Sequence, residues 1–575
     1  MILLIQPPLT QLNTPYPAIT HLTGFLRSKG IDAEQCDIGI ELIDRLFTRE
    51  NLTKIFAQAE EICGFGTENH TCKNTRKILN NKYLYINKVE DVIAFLRGKK
   101  QSNATLFSRS DFWEGMPRLE ADEEMEYDYG TAGNYDRAKY LCSLFIKNIT
   151  DIIQIVDPHF ELIRYAEHLC TYIYKFDIIE RELHKPHSIV TDLTLNILEE
   201  KIEKYKPEYI GFSVPFPGNL LQCIKCAEYI KSHHPQIKTI MGGGYVNTEL
   251  RKMTDTGVFK YIDFITFDDG ELPLLRIVTG GELVRTATAR ADSEKKTRVI
   301  FCNMDSKENI PFGELPAPTT AGLPMANYLN FIDSTNPMHR LWSDGKWNKM
   351  MLAHGCYWAK CAFCDTTLDY IRRFERCDIG IIVDRMEAMI AETGENGFHF
   401  VDEAAPPALL KQLAEEIIKR KLTVSYWTNI RFDRTFTPEL CRLLATTGCI
   451  AVSGGLEVAS PRVLKLINKG VTIESATECI RNLNSNNIMV HTYLMYGFPS
   501  QTVSELFDSL GRVRDLFANK LIQSAFWHRY AMTCHSSSGK NPESVNAKAV
   551  EQKDNPFANN EIPFIDPLGI DWEQW

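Results

Sequence analysis

The sequence predicts an α/β protein: an N-terminal doubly wound (Rossmann-like) domain with a helical insertion, followed by a partial (β/α)6 TIM-like barrel. Three observations carry that prediction. Short apolar runs alternate with helical stretches along most of the chain. The alternation occurs twice, up to about residue 285 and again from Met350, with an irregular proline-bearing interval between. Glycine- or cysteine-rich loops follow the apolar runs, at the strand ends where α/β folds place their chemistry.

Ile2–Gln6 reads as a buried strand ended by Pro7 and Pro8. A helix follows from about Pro17 to Lys29, stopped by Gly30, and a second strand occupies about 32–38. The pattern pauses from about 40 to 190 in a helical insertion whose acidic run, Glu120–Asp128, is expected as a solvated face or loop. Alternation resumes with the helix Leu193–Tyr205, the strand from Tyr209, the helix Leu220–Ser232 and the strand from Lys238, which runs into Gly242, Gly243 and Gly244. A further strand, Phe264–Phe267, leads to the turn Asp268–Glu271. Strands separated by helices predict a parallel sheet covered on both faces over residues 1–285. Residues 286–345, with Leu315–Pro324 at their centre, read as a linker. The second unit, 346–520, is expected to hold strands at Met350–Ala353, Gly397–Val401, Val424–Thr428, Ile450–Ser453 and Ile488–Met495. Helices such as Ile379–Thr393 and Ala408–Lys421 lie between them, and βα units of about 30–45 residues suit a barrel. After about 520 the pattern decays through Phe526, Trp527 and His528 into a C-terminal extension, 521–575.

Composition excludes more than it proposes. An apolar fraction of 44% and a charged fraction of 24% are those of an ordinary globular protein. A net charge of −10 argues against nucleic acid as a partner. Sixteen cysteines in 575 residues are too dilute for a secreted disulfide scaffold, which favours a cytoplasmic location. The N-terminus lacks a basic start and breaks at Pro7, unlike a signal peptide, and no apolar run is long enough to predict a membrane span.

The densest chemistry is Cys356, Cys361 and Cys364, a C-x4-C-x2-C array directly after a short apolar strand. Three thiolates are one ligand short of closing a zinc site or a cubane cluster. Zinc completed by His354 or Cys377 is one reading. A [4Fe–4S] cluster with one iron open to a small molecule is the other. Cys223, Cys226 and Cys534 are expected as ordinary buried thiols, and His233 and His234 as helix-end caps.

The loop resembles that of radical S-adenosylmethionine enzymes, C-x3-C-x2-C with an aromatic before the third cysteine. Phe363 fills that place, and the first gap is one residue longer here. Further matches follow in order at expected strand ends: Phe400–Glu403, Trp427–Arg431, Gly454–Ser460 with Lys469 and Gly470, and Tyr496–Thr502. The resemblance implies that Cys356, Cys361 and Cys364 bind the cluster. It places Glu403, Asn429, Arg431, Glu457 and Gly497 around S-adenosylmethionine, with Glu403 toward the amino group and Arg431 toward the carboxylate.

No G-x-G-x-x-G follows the first strand, which argues against a nicotinamide dinucleotide. Standing before such a barrel, the first domain resembles a cobalamin-binding domain. Ser213, Gly242, Gly243 and Gly244 match its nucleotide-tail positions, and Gly270 with Glu271 its turn after the fifth strand. The D-x-H-x-x-G loop that supplies a cobalt ligand elsewhere is replaced by Gln6–Pro15, which has no histidine. The resemblance implies a cobalamin-dependent C-methyltransferase that generates a 5′-deoxyadenosyl radical to activate an unreactive carbon. Its cofactors would be a [4Fe–4S] cluster, S-adenosylmethionine and cobalamin. Its partners would be a small-molecule or peptide substrate and an electron donor such as flavodoxin or ferredoxin. Radical cyclisation or rearrangement without methyl transfer, a domain that kept the fold without cobalamin, and a non-enzymatic iron–sulfur redox or sensor protein remain open alternatives.

Overall fold

The strand β1 (Ile2–Gln6) is buried at all five positions, as a strand covered on both faces must be. The computed structural model of the chain describes residues 1–64, 73–119, 133–164, 174–291, 295–332, 334–550 and 555–574. In it β1 pairs in parallel with β2 (Ala33–Asp37) on one side and β3 (Tyr209–Ser213) on the other. β4 (Lys238–Gly242) and β5 (Phe264–Thr266) continue in parallel. The strand order therefore reverses at β1, so the loops after β1 and β3 diverge and leave a crevice at the C-terminal strand ends.

Two further strands, β6 (Thr286–Ala291) and β7 (Thr297–Cys302), add antiparallel to the β5 edge. They correct the reading of 286–345 as linker throughout. The hairpin escaped notice because only Thr286 and Ala287 of its strand residues are buried, so it lacks the apolar run that marks a covered parallel strand. Between β2 and β3 the described elements are all helices, the longest being Asn134–Val156, which buries Leu141, Phe145, Ile149 and Ile152. The acidic run Glu120–Asp128 lies outside the described residues.

The second sheet is parallel throughout, in strictly sequential order: β8 (Asn348–Met350), β11 (Gly397–Phe400), β12 (Ser425–Ile430), β13 (Cys449–Glu457), β14 (Met489–Tyr496) and β15 (Ser524–Arg529). The expected strand Met350–Ala353 is broken in two. The Asp402 carboxylate takes the Leu352 and Ala353 N–H groups, each at 2.9 Å, and so replaces a ladder partner there. Ala353–His354 then forms a separate strand, β9, antiparallel to β10 (Glu375–Arg376). β15 corrects the expected end of the barrel at 520, since it pairs with β14 from His491–Ser524 to Tyr496–Arg529. Its sequence hid it because an edge strand is not obliged to be apolar, and Phe526 is 51% exposed.

One face of this sheet packs Met350, Phe398, Phe400, Tyr426 and Val490 under the helices. The other face carries Lys349, His399 and Trp427 side by side in register, with the His399 ring stacked on Trp427 at 3.5 Å. The loop after β1 reaches this face. Lys349 Nζ donates to Gln11 Oε1 at 2.7 Å, and Asn13 and Thr14 donate to the carbonyls of Gly345 and Trp347. Among the described residues no helix is long and apolar enough to cross a membrane.

Candidate active site

The three cysteines lie on a loop closed at its base by the β9–β10 ladder. The Cys356 N–H donates to the Ile371 carbonyl at 3.0 Å. Gly355 beside it has φ +73°, and a side chain there would meet the Arg373 carbonyl at 2.2 Å, so only glycine lets the two segments approach. The extra residue of the first gap is absorbed in an anchored turn. The Tyr357 hydroxyl donates to Asp433, Trp358 Nε1 donates to the Asn468 carbonyl at 2.9 Å, and Ala359 is left-handed at φ +45°. The Trp358 ring lies so close to Gly470 that a Cβ there would come within 2.2 Å of it. From the far side Ser538 donates to the Ala362 carbonyl through N–H at 3.0 Å and Oγ at 2.8 Å.

Charge is concentrated beside the loop. Lys469 Nζ and Glu457 Oε1 form a buried ion pair at 2.7 Å. Burial works against the Lys469 charge, but Glu457 and the Cys361 thiolate outweigh it and hold the ammonium above its usual range. Glu457 itself is left-handed (φ +59°) at a register shift of β13, and a Cβ on Gly455 would collide with this ion pair. The hydrogen bond from Cys364 pulls the Cys361 thiol down to about 7 against burial, helped by Lys469 and Arg431. Arg431 is buried under the loop, its Nη2 donating to the Lys469 carbonyl at 2.6 Å and its guanidinium 4.5 Å from the Trp358 ring centre.

This donor set suits a cluster better than mononuclear zinc. A tetrahedral site with Zn–S bonds of about 2.3 Å draws its sulfurs to about 3.8 Å from one another. Among the described residues no group of three ligand atoms within 4.8 Å includes any of these thiols. His354 is engaged elsewhere, with Nε2 on Asp269 at 3.0 Å and Nδ1 on the Arg373 carbonyl at 2.7 Å, and Cys377 sits beside Arg385. Three soft thiols on one loop next to two buried cations fit a [4Fe–4S] cluster with one iron left open.

Glu403 is accessible yet surrounded by protein on most sides. Burial, then the Asp402 charge, pushes its carboxyl up to about 7. Tyr16, from the loop after β1, stands near it, and burial followed by the Glu403 charge lifts its phenol to about 12. Asn429 Nδ2 donates to the Asp402 carbonyl at 3.1 Å and so steadies the turn that carries Glu403. Gly497 stands apart, at φ +78°, under Trp572 and on the wall of a separate hollow of about 260 Å³.

In the first sheet, Ser213, Gly242, Gly243, Gly244 and Glu271 share one cavity of about 290 Å³, which Met351 and Val401 of the second unit also line. The glycines are enforced by crowding. A Cβ on Gly243 (φ +120°) would lie 2.6 Å from the Val214 carbonyl, and one on Gly242 2.7 Å from Thr266 Oγ1. The Ser213 hydroxyl is buried with no hydrogen-bond partner among the described residues. Burial, then the Asp269 charge, pushes Glu271 up to about 7. A hollow cradled by glycines with an orphaned hydroxyl fits the nucleotide tail of a cobalamin. Tyr16, Lys349, Asp269 and Arg373 were not singled out from the sequence. The turn Asp268–Glu271 marked the neighbourhood of Asp269, but its partners lie 85 and 104 residues away.

The chain is 23% identical over 328 residues to the uncharacterized methyltransferase PH0819 of Pyrococcus horikoshii, which covers 55% of this chain and 66% of that protein. It is 25% identical over 195 residues to the tryptophan 2-C-methyltransferase of Streptomyces laurentii, covering 31% of this chain and 32% of the relative. The chain thus spans less than two thirds of the length of these relatives. Among solved structures, the cobalamin-dependent S-adenosylmethionine radical enzyme OxsB aligns with a TM-score of 0.48 at 14% identity, over 65% of this chain and 58% of the other. Residues 350–513, which hold the cysteine loop, Glu403, Arg431 and the Glu457–Lys469 pair, match the radical SAM superfamily, and this domain of the chain belongs to that superfamily.

Proposed function

We propose that the chain is a cobalamin-dependent radical S-adenosylmethionine C-methyltransferase. The observation that carries this reading is the shared cavity. The glycine-lined hollow of the first sheet opens against Met351 and Val401, which follow the strands leading to the cysteine loop and to Glu403. A cofactor seated there would face the chemistry of the second sheet. In this reading Cys356, Cys361 and Cys364 hold the cluster, and Ser213, Gly242, Gly243, Gly244 and Glu271 hold the tail of cobalamin. When bound, the cluster supplies the electron that cleaves the sulfonium C–S bond, and cobalamin relays the methyl group. Glu403 is accessible, and a cation beside it would favour the charged form of its raised carboxyl, which suits it to receive the methionine ammonium. The buried Glu457–Lys469 pair stiffens the rim beside the thiols. Arg431 braces Lys469 and Trp358 from beneath, so its contribution to carboxylate binding acts through the loop it supports.

The test is anaerobic reconstitution followed by measurement of iron, sulfide and cobalt, and then assay of S-adenosylmethionine products with candidate substrates. Iron and cobalt together, with equal yields of S-adenosylhomocysteine and 5′-deoxyadenosine, are expected. Deoxyadenosine without the homocysteine product would point to rearrangement instead. Zinc in place of iron would overturn the scheme.

A further inference from the structure

We propose that Asp269 is a positioning residue that couples the first-sheet cavity to the geometry of the cysteine loop. This rests on the reading of the chain as holding both a cluster and cobalamin. Asp269 forms part of the cavity wall, next to Gly270 and Glu271. Its carboxylate does not end there. One oxygen accepts from His354 Nε2 at 3.0 Å, and the other accepts from Arg373.

Both partners belong to the base of the cysteine loop. His354 precedes Cys356 by two residues and pairs with Glu375 across the β9–β10 ladder. Arg373 gives its carbonyl to His354 Nδ1 at 2.7 Å, while its guanidinium holds Asp369 at 2.8 Å and Glu375 at 2.7 Å. Two residues earlier, the Ile371 carbonyl takes the Cys356 N–H. A single side chain thus joins the wall of one cavity to the segment that sets the first thiol.

The same groups invite a metal reading, because ligand atoms of Asp269, His354 and Asp369 lie within 4.8 Å of one another. The Arg373 guanidinium already bonds Asp269 and Asp369, so the position of positive charge among them is filled. The turn is also poised to report on the cavity. Asp268 is left-handed at φ +59° and tied to Arg251, and its N–H donates to Asn247 at 2.6 Å, so Asp268 is anchored to the segment after β4. A molecule pressing on Gly270 and Glu271 moves the Asp269 carboxylate against a fixed hinge, and the His354–Arg373 pair moves with it. Linkage makes the effect reciprocal: whatever cobalamin does to the cluster, reduction of the cluster does to cobalamin affinity.

The test uses the anaerobically reconstituted full chain, with the cluster midpoint potential followed by electron paramagnetic resonance with and without hydroxocobalamin. A coupling of about fivefold, at the low end for linked sites, corresponds to a shift of about 40 mV for one electron. The wild type should show such a shift, and Asp269→Asn should lose it while keeping wild-type iron content. Should Asp269→Asn fail to take up iron, His354→Gln, which removes one arm of the link, carries the same comparison. A wild type that binds cobalamin with no change in potential, or a variant that keeps the full shift, overturns the coupling alone. A wild type that retains no cobalt overturns the cobalamin reading and the coupling with it.

Discussion

The two sheets build their sites by opposite means. The first makes room by omission: glycines at 242, 243 and 244 stand where any side chain would strike a neighbouring segment, and the Ser213 hydroxyl has no partner among the described residues. The second works by charge: Glu457, Lys469 and Arg431 are buried around the cysteine loop and balanced against one another. A site made by omission fails when something is added. A site made by charge fails when something is removed, because the surviving partner is stranded in a medium that solvates it poorly.

The largest effect should therefore come from removing one charge in the second sheet. Lys469→Met leaves the Glu457 carboxylate buried without its counterion and should destabilise the fold by about 3–5 kcal/mol in urea titrations near neutral pH. A loss under about 1 kcal/mol would mean that the pair is effectively solvated, and the contrast between the sheets would lapse.

Lys349 tests the same region through pH. Burial lowers its ammonium from 10.5 to about 7 in the folded chain. Between those values the unfolded chain holds a proton that the folded chain does not, so stability contributed by this group rises as pH goes from about 7 to about 10.5, by on the order of 4 kcal/mol. Lys349→Met should abolish that increment. The wild-type minus variant difference in unfolding free energy, measured at several pH values, isolates it from other alkaline titrations. A flat difference would show that Lys349 stays charged and hydrated.

How much of this was legible beforehand follows from the range of each interaction. The parallel strands were readable because burial on both faces forces apolar runs, as in Ile2–Gln6. The β6–β7 hairpin and β15 were not, because an edge strand is free to be polar. The cysteine loop announced its residues by spacing, yet the path of its extra residue depends on Trp358 meeting Asn468 and Gly470, more than a hundred positions on. The Asp269 link is likewise a contact between distant segments, and no local pattern encodes which carboxylate meets which guanidinium. Local periodicity reveals elements; pairings between loops emerge only after the sheets have brought their ends together.

On the side of omission, Gly243→Ala should cost about 2–4 kcal/mol, from backbone strain at φ +120° together with overlap on the Val214 carbonyl. Gly280→Ala is the control, since it also has positive φ (+68°) but nothing within 4 Å. It should cost about 1 kcal/mol, from strain alone. Thermal unfolding of the two variants separates the terms, and equal losses would show that the crowding at Gly243 relaxes away.

Ser213→Ala should have the smallest effect on the free protein and is for that reason the sharpest probe of what the first cavity is for. Removing a buried hydroxyl that has no partner forfeits no hydrogen bond, so the apo protein should change by less than about 0.5 kcal/mol or gain slightly. If the hydroxyl is reserved for a ligand, the loss appears only when one is present: about fivefold weaker hydroxocobalamin binding, the equivalent of one net hydrogen bond of about 1 kcal/mol. Titration of wild type and variant with hydroxocobalamin reads this directly. Unchanged affinity beside unchanged stability would make Ser213 a residue of packing, and the cavity's claim on a nucleotide tail would then rest on its glycines alone.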